Sequence, residues 1–224
     1  MAYRDMRDYL AVLQQQGLVR RVSRETDHNW EVACLAKWMY QALPIDRRFG
    51  LYFDNVQGSS IPVITGALGA RPESVAIALQ CEVDEINDTV AAAMAKPLKP
   101  RVVREAVCQE VVATGNDADL DTLPIVTWTP GKDKAPYLTT IVVTRDHDTG
   151  IANMGVYRTM VRDRHTVVVN LSPNRQGTRN VQTWIEKGKK APIAWVIATE
   201  PVVHLATVAN LPYGRDEIEL AGGL

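Results

Sequence analysis

The feature that most constrains the fold is a change in sequence character at residues 96–100, where the chain reads Lys-Pro-Leu-Lys-Pro. Before this break, apolar residues recur at helical spacing in the opening stretch, which Gly17 ends, and in residues 30–42, 73–79 and 82–95. Residues 19–22, 51–58 and 61–65 have the length and pattern of strands. Two prolines in five residues interrupt both kinds of structure, so we expect a boundary there and an N-terminal α/β domain over residues 1–105.

The sequence after the break has a different character. Residues 107–113, 139–144 and 166–171 are short runs rich in β-branched side chains, and residues 194–198 are apolar, which predicts strands. Residues 180–190 have the pattern of an amphipathic helix, and residues 204–208 predict a second, short one. We therefore predict an α+β protein in which residues 106–224 form a β-rich domain with helical insertions.

Length and charge exclude several classes of protein. A chain of 224 residues can bury roughly 70% of its unfolded surface, so it needs neither a disulfide nor a metal to fold. Its 25 basic and 26 acidic residues nearly cancel, which indicates no general affinity for nucleic acid or an anionic membrane. The first 25 residues lack the apolar core of a signal peptide, and no stretch has 18 apolar residues. With three widely spaced cysteines (Cys34, Cys81 and Cys108), these features predict a cytoplasmic protein with reduced core thiols.

One segment is hard to explain by folding alone: residues 153–158, Asn-Met-Gly-Val-Tyr-Arg. The chain has no dinucleotide-binding glycine motif, phosphate-binding loop or nucleophile elbow, and its four histidines are isolated. In residues 153–158, Gly155 lets a ligand approach the backbone, Tyr157 offers a ring and a hydroxyl, and Arg158 offers a planar cation. Together they suit a flat anionic ligand, whereas the alternative interpretation is a polar strand end with a surface arginine.

The order of several segments resembles the UbiD family of prenylated-flavin-dependent (de)carboxylases. The most specific similarity is in residues 148–153 and 155–158, and it extends along the chain through residues 3–10, 17–20, 53–58, 62–66, 119–124, 128–130, 136–139, 211–217 and 221–222. With the strand-rich character of residues 106–224, the resemblance implies a flavin-reductase-like split β-barrel that binds prenylated FMN.

The resemblance also implies site residues. Asn153 and Glu217 match the family's ligands for Mn²⁺ or Mg²⁺, with K⁺ as an additional ion, so their side chains should converge within roughly 5 Å. Arg158 matches the catalytic arginine that faces the substrate carboxylate, and we expect it in an open cleft with no carboxylate of this chain beside it. The residues that match the cofactor contacts are Asn153, Val156, Tyr157, Arg158, Asn170, Leu171, Ser172, Arg175 and Gln176.

Two departures from the family pattern bear on function. Asn174 stands where we expect the family's metal-binding histidine, and an amide can offer an oxygen but no imidazole nitrogen. The second is length, because family members are about twice as long and their catalytic glutamates and oligomerising domain lie in the further half.

Two functions follow from the resemblance. The first is a carboxy-lyase, or its flavin-binding portion, that reversibly decarboxylates an aromatic or α,β-unsaturated carboxylic acid and is inactive as an isolated chain. The second is a non-catalytic flavin-binding or partner-binding module that needs a second subunit or the further half. The expected partners are the small carboxylic acid, a flavin prenyltransferase that supplies the cofactor, and a second copy or partner subunit.

Overall fold

The computed structural model describes residues 3–129 and 131–224, so Pro130 of the Trp-Thr-Pro segment and the first two residues lie outside the described residues. The first part of the chain packs four helices and a three-stranded sheet in which β2 pairs parallel with β1 and antiparallel with β3. Its elements are α1 (Met6–Gln15), β1 (Val19–Val22), α2 (Glu31–Ala42), β2 (Gly50–Phe53), β3 (Val63–Thr65), α3 (Pro72–Leu79) and α4 (Ile86–Ala95).

Helix α1 shows how local sequence sets these elements. The Asp5 side chain caps it by accepting hydrogen bonds from the backbone N–H groups of residues 7 and 8, and Gly17 follows its end with a φ of 70°. Tyr9 and Leu13, four residues apart, are fully buried against β1 and α3. The periodicity and the end of this helix confirm the sequence prediction.

The strand predicted at residues 107–113 is wrong. Val107, Val111 and Val112 are mostly exposed, and the described part of residues 97–136 contains three short 3₁₀ turns but no ladder strand. The β-branched side chains favour an extended backbone only where a neighbouring strand and a core accept them, and the described residues provide neither here. The three cysteines are also not core thiols, because Cys34 and Cys108 are exposed and Cys81 is half-buried.

The last part of the chain has two separate antiparallel sheets of three strands, with orders β4-β7-β8 and β6-β5-β9. The described residues form no closed barrel, so the structure confirms a mixed α+β fold but not the split barrel. The elements are β4 (Tyr137–Leu138), β5 (Ile141–Arg145), β6 (Ala152–Val156), β7 (Thr159–Asp163), β8 (Thr166–Val169), α5 (Gln176–Glu186), β9 (Ala194–Val196), α6 (Pro201–Ala206) and α7 (Glu217–Gly223).

Helix α5 begins four residues earlier than its apolar pattern predicts. Its first turns are polar but face the protein, since Asn180 is buried and its Nδ2 donates to Thr144 Oγ1 at 3.3 Å and to the Ile151 carbonyl at 3.4 Å. Helices α5 and α7 both pack on β6 and so surround residues 152–156. Among the described residues, none of the helices is both long and apolar enough to cross a membrane.

Candidate functional site

A cavity of about 490 Å³ opens where β6 ends, beside the first turn of α5 and the start of α7. This size lies within the range of pockets that hold small molecules and cofactors. Its lining comes from β6 and the following turn, the segment before α5, the segment after α6, and α7: residues 153–158, 170, 172, 174–176, 179, 207–211, 213 and 217. All site residues expected from the sequence line this cavity except Leu171.

Asn153 and Glu217 meet at the buried end of the cavity, as the resemblance implies. Asn153 Nδ2 donates to Glu217 Oε1 at 3.0 Å, and the Met154 backbone N–H donates to Glu217 Oε2 at 2.9 Å. Both side chains are buried, and burial raises the pKa of the Glu217 carboxyl. Since no described cationic side chain forms a salt bridge with this carboxylate, its charge is compensated only by neutral donors.

The Tyr157 side chain lies beside the Asn153–Glu217 pair, in a position that two neighbouring glycines leave open. Its hydroxyl donates to Asn153 Oδ1 at 3.0 Å. A Cβ on Gly155 would lie 2.7 Å from Tyr157 Cε2, and a Cβ on Gly177 would lie 2.7 Å from the Tyr157 hydroxyl. The tyrosine ring can therefore occupy this position only because both neighbours lack a side chain. Gly177 gave no signal in the sequence beyond its resemblance to a cofactor-contacting stretch.

Positive charge concentrates at the cavity mouth. Arg158, Arg175 and Arg179 all line it, and the Arg179 guanidinium lies 4.7 Å from the ring centroid of Tyr213. No side chain caps the N-terminus of α5, which lies beside these arginines, although the Gly177 backbone N–H already donates to the Tyr157 hydroxyl. Guanidinium groups next to a helix N-terminus suit a phosphate. Sequence reasoning missed Arg179 and Tyr213.

Arg158 differs from the expectation of an unpaired cleft arginine. Its Nη2 donates to both carboxylate oxygens of Asp133, at 2.8 and 2.9 Å, and its guanidinium lies 4.2 Å from the ring centroid of Tyr137. Burial alone would raise the pKa of the Asp133 carboxyl, but hydrogen bonds from Arg158 and Thr129 outweigh it and lower that pKa. The expectation failed because Asp133 lies 25 residues earlier in an irregular segment, where no spacing rule relates it to Arg158.

Asn174 and Gln176 have different environments. Asn174 is exposed and has a φ of 66°, whereas the Gln176 side chain is half-buried and donates to the Arg215 carbonyl at 3.0 Å. Gln176 Nε2 also lies 3.5 Å from the carbonyl of Ala152, the residue before Asn153. Of the two amides, Gln176 is thus tied to the backbone next to the Asn153–Glu217 pair.

The residues present fit a flavin phosphate and a hard cation. The amide oxygen of Asn153 and the carboxylate of Glu217 are ligands that Mn²⁺ or Mg²⁺ accepts, and a cation would compensate the buried charge of Glu217. An ion held by both side chains would replace the hydrogen bond between Asn153 Nδ2 and Glu217. Among the described residues, this site included, no group of three or more histidine, cysteine, aspartate or glutamate side chains is placed to hold a metal.

Two family profiles match the chain. The 3-octaprenyl-4-hydroxybenzoate carboxy-lyase N-terminal domain matches residues 10–94, and the Rift-related domain of the same carboxy-lyase matches residues 101–224. Among sequences, the uncharacterized protein sll0936 of Synechocystis is 28% identical over an alignment of 244 positions, which covers 98% of this chain and 48% of that protein.

Solved structures are also similar to this chain over almost its whole length. An evolved dimeric form of the UbiD-class enzyme HmfF from Pelotomaculum thermopropionicum, in complex with prFMN, is 31% identical with a TM-score of 0.89 and covers 99% of this chain and 50% of that one. The vanillic acid decarboxylase ShVdcCD of Sedimentibacter hydroxybenzoicus, in closed form, is 25% identical with a TM-score of 0.88 and covers 99% of this chain and 48% of that one. The chain thus spans about half the length of the relatives it matches.

Proposed function

Because the chain belongs to the UbiD carboxy-lyase family, we propose that it is the cofactor-binding and carboxylate-binding half of a decarboxylase that uses prenylated FMN. The observation that carries the proposal is a single cavity that joins a buried amide–carboxylate pair to a cluster of arginines. The family supports carboxy-lyase chemistry in general. The cofactor, the acid and the residue roles are proposed for this chain.

We place the flavin phosphate at the N-terminus of α5, beside Arg175 and Arg179. Val156 and Tyr157 would then lie against the ring system, with Asn170, Leu171, Ser172 and Gln176 as further contacts, although Leu171 does not line the cavity. When bound, prenylated FMN supplies the electron sink that loss of CO₂ from an aromatic or α,β-unsaturated acid requires. A flavin prenyltransferase would supply this cofactor.

We assign the divalent cation, Mn²⁺ or Mg²⁺, to Asn153 and Glu217. Their oxygens are hard ligands, and a hard ion retains further oxygen ligands such as a phosphate. Gln176 is better placed than Asn174 to support this end of the cavity, because its side chain is tied to the backbone beside Asn153. K⁺ would be a further ion whose ligands we do not assign.

Arg158 is proposed to hold the carboxylate of the acid. Asp133 accepts from Nη2 of the guanidinium, which belongs to both of its bidentate edges, so a second carboxylate would accept a single hydrogen bond from Nε or Nη1, or displace Asp133 to pair through two. Stacking on Tyr137 and pairing with Asp133 fix the guanidinium before the acid binds, which reduces the entropy lost on binding. We assign no proton donor within this chain.

The division of the chain into domains, and the part that completes the active site, are also proposals. We divide the chain into residues 1–105 and 106–224, with the second part as the flavin-binding domain and the split barrel as its proposed architecture. A second copy, a partner subunit or a further half would complete the active site, and among the similar structures are a dimeric form of HmfF and ShVdcCD.

The competing function is a module that binds flavin or a partner without catalysis. The observation that favours it is the pairing of Arg158 with Asp133, which occupies part of the guanidinium proposed to hold the acid. Measurement of decarboxylation with the further half of a relative added in trans separates the two, since the module predicts binding without turnover.

Cofactor binding is tested by titration of FMN into the purified chain, followed by the quenching of flavin fluorescence. Loss of one guanidinium that pairs with a phosphate costs about 1.5–3 kcal/mol, so Arg175→Ala and Arg179→Ala should each weaken binding about 10- to 150-fold. Arg162→Ala, at an exposed arginine of β7 outside the cavity lining, is the matched control and should bind as the parent does. Equal affinities in all four proteins would refute the placement.

A further inference from the structure

A second cavity, of about 430 Å³, lies in the first part of the chain and shares no lining residue with the cavity beside β6. It opens between the turn at Gly17, strand β1, the end of α2 and the residue before α3. Four of its lining side chains are arginines, namely Arg20, Arg47, Arg48 and Arg71, and Asp46 is its one lining carboxylate.

The charge of this cavity is poorly balanced. Arg71 pairs with Glu73 through two hydrogen bonds, but Arg20, Arg47 and Arg48 form no salt bridge with any described carboxylate. Four cations thus face two carboxylates, Asp46 and Glu73, in a chain whose overall net charge is −1. Such a local excess of positive charge attracts multivalent anions.

Most of these guanidinium groups are held in place rather than free in solvent. The Arg20 guanidinium lies 3.9 Å from the ring centroid of the buried Phe49. Arg48 Nε donates to the Leu43 carbonyl at 3.1 Å, and its guanidinium lies 5.8 Å from the ring centroid of Tyr40. Fixed guanidinium groups lose little entropy when they bind a phosphate, so Arg20 and Arg48 favour binding, and the exposed Arg47 adds positive charge beside them.

An exposed tryptophan lies in the same cavity as the four arginines. Trp38 lines the same cavity and is 51% exposed, which leaves an indole face open to a planar ring. An exposed indole offers a flat apolar face and an N–H donor, which are the features that a ring-stacking contact uses. Phosphate-binding cations next to a stacking surface match the two parts of a phosphorylated nucleoside.

We propose that this cavity binds a nucleoside di- or triphosphate, with the phosphates at Arg20 and Arg47 and the base against Trp38. The proposal is independent of flavin binding, because it rests on different residues and a different part of the fold. A nucleotide here would attach to the first part of the chain without entering the cavity that we assign to the flavin.

The test uses isothermal titration of the whole chain with ADP and, separately, with inorganic pyrophosphate. ADP should bind, and Arg20→Ala and Arg47→Ala should each weaken both probes at least 10-fold. Trp38→Ala should weaken ADP at least fivefold and leave pyrophosphate within twofold, since pyrophosphate has no ring. Arg162→Ala is the control, and the melting temperature of each variant establishes that it is folded.

Several results would overturn the proposal. ADP affinity that is unchanged in Arg47→Ala, an exposed residue whose loss should leave the fold intact, would show that the phosphates do not bind here. Loss of ADP binding in Arg175→Ala would place the nucleotide in the first cavity. Tighter binding of an acidic peptide such as oligoglutamate than of ADP would identify the surface as a protein-docking site.

Discussion

Replacement of Gly177 by alanine tests the closest packing in the candidate site. The new Cβ would lie 2.7 Å from Tyr157 Oη and 2.9 Å from Asn153 Oδ1, both nearer than such atoms approach in real proteins. The tyrosine has little room to move, because its ring also lies close to Gly155. We therefore expect the alanine to displace the hydroxyl and break its hydrogen bond with Asn153.

The magnitude follows from three contributions. Overpacking costs about 1–3 kcal/mol, and loss of the hydrogen bond costs about 1 kcal/mol. Alanine in place of glycine within helix α5 returns up to about 1 kcal/mol of helix propensity. The net destabilisation is about 2 kcal/mol, and for a chain of this size that lowers the melting temperature by roughly 4–8 °C.

A double-mutant cycle identifies the cause of that loss. Tyr157→Phe removes the oxygen nearest to the new methyl group and frees the Asn153 amide to move. Gly177→Ala should then cost at least about 1 kcal/mol less in the Tyr157→Phe background than in the parent. Urea unfolding followed by far-ultraviolet circular dichroism measures all four proteins. Equal costs in both backgrounds, or stabilisation of the parent by Gly177→Ala, would refute the packing argument.

Three further predictions concern single groups. Burial raises the pKa of Glu217 above its ordinary value of 4.5, so its contribution to stability is complete below that pH and is lost as pH rises through the raised value. Glu217→Gln should therefore reduce the fall in stability with rising pH, measured as melting temperature between pH 4 and 8 without added metal; an unchanged slope would contradict this. Tyr9→Phe removes a hydroxyl that donates to the Ser74 carbonyl at 2.7 Å and should cost about 1–3 kcal/mol in urea unfolding, whereas no loss would show that the buried carbonyl finds another donor. Arg158→Ala should cost about 1 kcal/mol, because the arginine side chain is half exposed and solvent weakens its pairing with Asp133; a cost near 4 kcal/mol would mark a structural ion pair.

The sequence by itself determined the elements whose signals are local. Helix α1 follows from apolar spacing and the glycine at its end, and the prolines near residue 97 follow the end of helix α4. The residue types from Asn153 to Arg158 drew attention to that segment but left a polar strand end as the alternative, and the resemblance supplied its assignment as a site. These signals lie within a few residues of one another, so no tertiary information is needed to detect them.

The tertiary structure alone decided which side chains meet. Only the family resemblance identified Asn153 and Glu217 as a pair in the sequence. They are 64 positions apart, and the fold brings their side chains into contact. The pairing of Arg158 with Asp133 and the need for Gly177 against Tyr157 had no local signal. The strand predicted from the valines at 107, 111 and 112 was wrong because strand propensity depends on a neighbouring strand. Whether such a neighbour is present is a property of the whole fold.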